Sequence, residues 1–217
     1  SHDTIVREAC RAKVPAVVCE KPMAVSWPRA KSMESYARRY GTRLVINHGR
    51  RWSPEYRAVR RAIADMRYGK LMHIQGCVLT SFGRAEPAAA ATGAVQSWHS
   101  VLEKSGGGPL LHDGTHLLDI VFYLTNLRPL WVEGRLRRHR GSAIEHHAVG
   151  RMSFKERPDL EFCFEAGGAR NYFHFEVELW FESGRIAVGN GIRTAETSIQ
   201  SRRYSGFRDL SADPDFK

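Results

Sequence analysis

From Phe173 to Phe181 the chain alternates without a break: Phe173, Phe175, Val177, Leu179 and Phe181 are apolar, and His174, Glu176, Glu178 and Trp180 stand between them, with Glu182 continuing the series. A period of two marks a half-buried strand, because successive side chains leave opposite faces of the pleat. This segment excludes an all-helical fold. It requires a sheet with one greasy face and one that meets water or another subunit. The same period recurs at Met72, Ile74, Val78 and Phe82, and at Leu160, Phe162 and Phe164. A broad, mostly antiparallel sheet is therefore expected in the larger part of the chain.

The first fifty residues follow another rule. Residues 3–13 read as a helix with Ile5, Val6, Ala9 and Cys10 on one side, Pro15 breaks it, and "AVVC" follows as a short buried strand. Ser26 is placed to cap a second helix carrying Ala30, Met33, Ala37 and Tyr40, and Gly41 ends it before the strand "RLVIN" at 43–47. Helix, strand, helix, strand predicts a parallel sheet with covering helices, yet two strands cannot bury helices on both faces. The unit reads as incomplete. A dinucleotide-binding domain normally carries a glycine-rich turn after its first strand, and here the first glycine is Gly41. Either the opening half lies outside this chain or the fold binds no dinucleotide, and the 217 residues as they stand are expected to hold NAD(P) poorly.

Further on, Ser53 is a candidate N-cap with Pro54 at the first helical position, Tyr56, Val59, Ile63 and Met66 follow at helical spacing, and Gly69 closes the helix. Residues 83–105, alanine-rich and without period, read as a mobile loop over a site, with Trp98 and His99 at its far end. The next stretch concentrates the chemistry. Gly106 to Gly108 let backbone approach something closely, and Pro109 suits a first helical turn. "LLHDGTHLLDIVFYL" then becomes one helix whose N-terminal end carries His112, Asp113 and His116, the two histidines on one face. Its far end, Leu117, Ile120, Val121 and Leu124, is core. Histidines four apart are also a metal spacing, but the glutamate and third ligand of a zinc protease are absent, so no metal site is expected.

Composition removes other classes. The formal charge of +10 invites a nucleic-acid reading, but the basic pairs are scattered and no nucleic-acid module shows, so solvated surface charge is favoured. Cys10, Cys19, Cys77 and Cys163 have neither metal nor disulfide-framework spacing, which points to reduced thiols in a cytoplasm. No apolar run approaches the ~18 residues of a membrane span.

"CEKPMA" at 19–24, "NHGRRWSPEY" at 47–56 and "SGGGPLLHDGTHLLD" at 105–119 together resemble the successive signatures of the Gfo/Idh/MocA oxidoreductases. The resemblance implies an α/β chain: a partial Rossmann unit, residues 1–48, followed by an α+β domain, residues 49–217, with a large open, mostly antiparallel sheet for substrate binding and oligomerisation. It implies NAD or NADP as cofactor, a sugar, polyol or related hydroxyl compound as substrate, and a homodimer or homotetramer, with neither nucleic acid nor membrane as partner. The catalytic lysine falls on Lys21, in a turn held by Pro22, where a cation stabilises a developing alkoxide. The catalytic histidine falls on His116, able to take the hydroxyl proton. The family's usual aspartate, four residues earlier, is here His112, and Asp113 is shifted by one. Either His112 replaces that aspartate in a paired-histidine site or Asp113 orients an imidazole from the side. Glu20, Lys21, Pro22, His2, Asn47 and Arg51 fall at cofactor-side positions, although Arg51 equally suits a bridge to carboxylates and His2 a helix cap. Trp98, His99 and His112 are candidate substrate contacts. The alternatives are a binding or assembly protein that keeps the open sheet, and an NAD-dependent glycoside hydrolase.

Overall fold

The computed structural model describes residues 2–81, 101–168 and 170–189, and the backbone alone of 191–198 and 206–209. Helix α1 (His2–Arg11) precedes strand β1 (Ala16–Glu20), and α2 (Trp27–Tyr40) precedes β2 (Arg43–Asn47). The strands pair in parallel from Ala16 opposite Arg43 to Glu20 opposite Asn47, as the alternation predicts. Val6, Cys10, Cys19, Met33 and Ala37 form a small core between strands and helices. Both helices lie on one face of the pair. Val18, expected to be buried, is 71% exposed on the open face with Val45, and Ile5 is likewise turned out, its place in the core taken by Val6 and Asp3. Ser26 stands at the N-cap of α2, but its hydroxyl makes no capping bond.

A short 3₁₀ turn (Gly49–Trp52) leads to α3 (Pro54–Ala64) and β3 (Leu71–Leu79). Pro54 opens α3 as expected, while the Ser53 hydroxyl turns to the Glu55 carboxylate and caps nothing. The helix ends at Ala64, before Gly69: Met66 takes a positive φ and is exposed, and Tyr68 packs in its stead. A bulge between Leu71 and His73 shifts the alternation at the start of β3, so that Leu71 is buried and Met72 is exposed. An extra residue in one strand turns every side chain before it to the other face. Phe82 lies outside the described residues.

Three helices follow: α4 (Leu102–Ser105), α5 (Pro109–His112) and α6 (Gly114–Thr125). The single helix expected over 110–124 is thus two pieces, broken at Asp113. Each piece has its own anchor. The backbone of Gly108 and Leu110 is bonded to the Glu145 carboxylate, whereas Leu117, Ile120, Val121 and Leu124 bury α6 in the main core. Strands β4 (Pro129–Arg138), β5 (Glu145–Phe154), β6 (Glu161–Gly167), β7 (His174–Phe181), β8 (Gly184–Gly189), β9 (Gly191–Ser198) and β10 (Gly206–Asp209) complete the elements of the described residues. With β3 they form a sheet of order β10-β9-β8-β7-β3-β6-β5-β4, antiparallel at every step except β3–β6. Phe175, Val177, Leu179 and Phe181 point to the helices α3 and α6 as their period requires, but Phe173 precedes the strand and is exposed. The architecture is that of a partial Rossmann unit followed by an α+β domain with a large open sheet.

Candidate active site

The two parallel strands end side by side, and their carboxyl ends carry the polar residues. Asn47 donates to Glu20 Oε1 at 2.7 Å, tying the tips of β2 and β1 together. Lys21 follows, joined to Pro22 by a cis peptide. Its ammonium crosses to the second domain and donates to the His112 carbonyl at 2.6 Å. Lys21 is thereby placed at the end of a strand and against the glycine-rich segment at once.

The 3₁₀ turn after β2 meets one face of α6. His116 and Asp119, three residues apart, share that face. Arg51 grips Asp119 with two bonds, Nε to Oδ2 at 2.8 Å and Nη2 to Oδ1 at 2.5 Å. His48 Nδ1 lies 3.5 Å from the same carboxylate, and its ring stands edge-on to His116, centroids 6.3 Å apart at 86°. Arg50 stacks over Phe175, 3.7 Å from the ring centroid. Burial, then the cations Lys21 and Arg50 and the neighbouring His48, push His116 down to about 4 against the weaker pull of Asp119. Burial also lowers His48, opposed by Asp119. His116 is therefore neutral at neutral pH, the form that accepts a proton.

The break at Asp113 places the two histidines on separate helices, His112 at the end of α5 and His116 in the first turn of α6. The His112 side chain is buried and lines a cavity of about 190 Å³ with His2, Pro22, Val25 and Ser105. His2 Nδ1 donates to the Pro22 carbonyl at 3.0 Å, so it braces the Lys21–Pro22 turn. Among the described residues neither His112 Nε2 nor His116 Nδ1, both buried, has a hydrogen-bond partner. The ring beside His116 is that of His48. Arg51 bridges to Asp119, the carboxylate bridge its sequence also suits. Trp98 and His99 lie outside the described residues.

The glycines answer to packing. A Cβ at Gly106, whose φ is +79°, would stand 2.4 Å from the Val25 carbonyl oxygen, and one at Gly108 would stand 2.0 Å from that of Glu145. Only glycine allows these approaches. They press the segment bearing His112 and His116 against the Lys21 turn on one side and β5 on the other. Sequence reasoning passed over His48, Arg50, Asp119 and Glu145. The first three stand inside the motifs already quoted, and nothing local marks Glu145, which lies 37 residues from the Gly108 amide it binds.

Residues 56–196 match the GFO/IDH/MocA C-terminal domain, and residues 1–48 match the oxidoreductase family's NAD-binding Rossmann fold. The chain belongs to the GFO/IDH/MocA family. Among curated relatives it is 36% identical over 134 residues to D-apiose dehydrogenase of Paraburkholderia graminis, covering 57% of this chain and 30% of that protein. It is 29% identical over 127 residues to the rhizopine catabolism protein MocA of Rhizobium meliloti, covering 58% of this chain and 35% of that one. The chain thus aligns with about a third of the length of these GFO/IDH/MocA relatives. An oxidoreductase domain protein from Kribbella flavida superposes with a TM-score of 0.77 at 24% identity, over 98% of this chain and 60% of that one. Levoglucosan dehydrogenase in complex with NADH superposes at 0.78 and 18% identity, over 99% and 60%. Both likenesses are of fold. Among the described residues no helix is long and apolar enough to cross a membrane, and no three His, Cys, Asp or Glu side chains gather as a metal site.

Proposed function

We propose that the protein is an NAD(P)-dependent oxidoreductase that moves a hydride between a nicotinamide and the hydroxyl-bearing carbon of a sugar, polyol or related compound. One observation carries the reading: the Lys21 ammonium, held at the end of a parallel strand by the His112 carbonyl, faces a half-buried His116 kept neutral by its surroundings. The carboxyl ends of parallel strands are where open α/β sheets bind dinucleotides, and the residues there fit such a group. The Glu20–Asn47 pair, the Lys21–Pro22 turn and His2 would border it. When bound, the nicotinamide supplies a two-electron acceptor for the hydride of the carbinol carbon. His116 takes the hydroxyl proton, and Lys21 stabilises the negative charge that develops on that oxygen. Relatives named for apiose, 1,5-anhydro-fructose and levoglucosan support a sugar-like substrate.

Within this reading residues 1–48 belong to the dinucleotide-binding domain and residues 49–217 bind substrate and assemble copies through the open sheet face bearing Trp131, Val149 and Trp180, in a cytoplasmic homodimer or homotetramer. In the full-length enzyme Lys21→Ala and His116→Ala are each expected to lower kcat by ~10²- to 10⁴-fold. NADH affinity, followed by its fluorescence, is expected to change little in His116→Ala. Wild-type turnover in both variants would remove the two residues from the chemistry.

A further inference from the structure

His48 is a half-buried imidazole between an ion pair and the proposed base. Arg51 holds Asp119 by two bonds, Asp119 Oδ2 lies 3.5 Å from His48 Nδ1, and the His48 ring stands edge-on to His116. Neither His48 Nδ1 nor His116 Nδ1 has a hydrogen-bond partner among the described residues, although both atoms are buried. A buried ring nitrogen without a partner leaves tautomer and orientation to be set by the nearest charges and rings. The other groups facing this pair are Lys21 after β1, Arg50 on the 3₁₀ turn and Glu20 at the tip of β1. No aspartate stands at position 112 to act on His116, and the His112 ring lines the cavity it shares with His2 and Ser105.

We propose that His48 is a positioning residue for His116, passing the influence of the Arg51–Asp119 pair to the base, so that the second imidazole of this site is His48 and not His112. The sequence order supports the economy of the arrangement: His48 and Arg51 lie three apart on one turn, and His116 and Asp119 three apart on one helix face. One short segment can clamp the carboxylate and the base of the other together. The proposal rests on the reading of His116 as base only for its kinetic consequence. Its structural content is tested without turnover.

The test is a side-chain nitrogen NMR titration of the full-length protein, with the His116 signal assigned by its loss in His116→Gln. His48→Phe, which keeps a ring in place, is expected to raise the His116 midpoint by ~0.5 to 1 in pH, because a neighbouring group that gains positive charge is gone. It should also mix its tautomers. Asp119→Asn should lower the midpoint directly while, by making His48 harder to protonate, raising it in part, so the lowering should grow by about half or more in the His48→Phe background, the mark of an opposing effect transmitted through His48. His112→Gln should leave the His116 signal where it is. Equal Asp119→Asn shifts with and without His48 would overturn the proposal, since Asp119 would then act on His116 only directly. So would a His116 midpoint and tautomer unmoved in His48→Phe. His48→Gln serves the same cycle if the phenylalanine variant does not fold. Under the proposed chemistry, His48→Phe should move the acid limb of the kcat profile while KM changes little. An unmoved limb together with a moved NMR midpoint would count against His116 as base and leave the positioning role standing.

Discussion

Replacing Glu145 with alanine tests what locks the glycine-rich segment. The Glu145 carboxylate is buried, 7% exposed, and accepts the Gly108 N–H at 2.9 Å on each oxygen and the Leu110 N–H on Oε1 at 3.2 Å. Two backbone donors therefore depend on one side chain. Each buried donor left without a partner is worth ~1 to 3 kcal/mol. Water entering the vacated space recovers part of that, and removal of a buried carboxylate relieves its own desolvation. A loss of ~2 to 4 kcal/mol is expected for Glu145→Ala, and roughly half of it for Glu145→Gln, which keeps one acceptor oxygen. With a urea slope of ~2 to 3 kcal/mol per molar for a chain of this size, the alanine variant should unfold ~1 to 2 M earlier. The assay is equilibrium urea unfolding followed by far-UV circular dichroism and tryptophan fluorescence. The loop also carries the His112 carbonyl that holds Lys21, so weakened NADH binding or turnover should accompany the lost stability. A midpoint change equivalent to less than ~0.5 kcal/mol would refute the reasoning, because it would mean that the two amides do not rely on Glu145.

Gly106→Ala combines a positive φ with a Cβ 2.4 Å from the Val25 carbonyl. It should lower thermal stability by several degrees in calorimetry and loosen the contact between the Lys21 turn and the glycine segment. His116 binds its proton less readily in the folded protein, about 4 against an ordinary 6.5. The unfolded chain therefore takes up a proton first, and stability should decline as pH falls from 6.5 to about 4 and level off below. His116→Gln should flatten that decline in denaturant midpoints measured across the range. Light scattering of the full-length protein should give a dimer or tetramer, and Trp131→Glu with Val149→Lys on the open sheet face should shift it towards monomer.

What the sequence determined by itself follows from the two periods of regular structure. Alternation at 173–181 and 160–164 made the sheet legible, because the side-chain period of a strand depends only on its own backbone. The helix–strand–helix–strand order made the first unit legible for the same local reason, whereas Lys21 and His116 were singled out by the motifs' resemblance to a family. Tertiary structure decided the rest. Met72 and Leu71 exchanged faces through a bulge that exists only because β3 must match β7. Val18 stayed exposed because both helices pack on one side of the strand pair. The helix over 110–124 broke at Asp113 because Glu145, distant in sequence, holds one piece while the sheet core holds the other. The His112 ring lines a cavity with His2 and Ser105, while the His48 ring stands edge-on to His116. Helical spacing describes neighbours on an unbroken helix. That the His48 ring meets His116 was set by the 3₁₀ turn packing on α6, a contact between segments far apart in the chain.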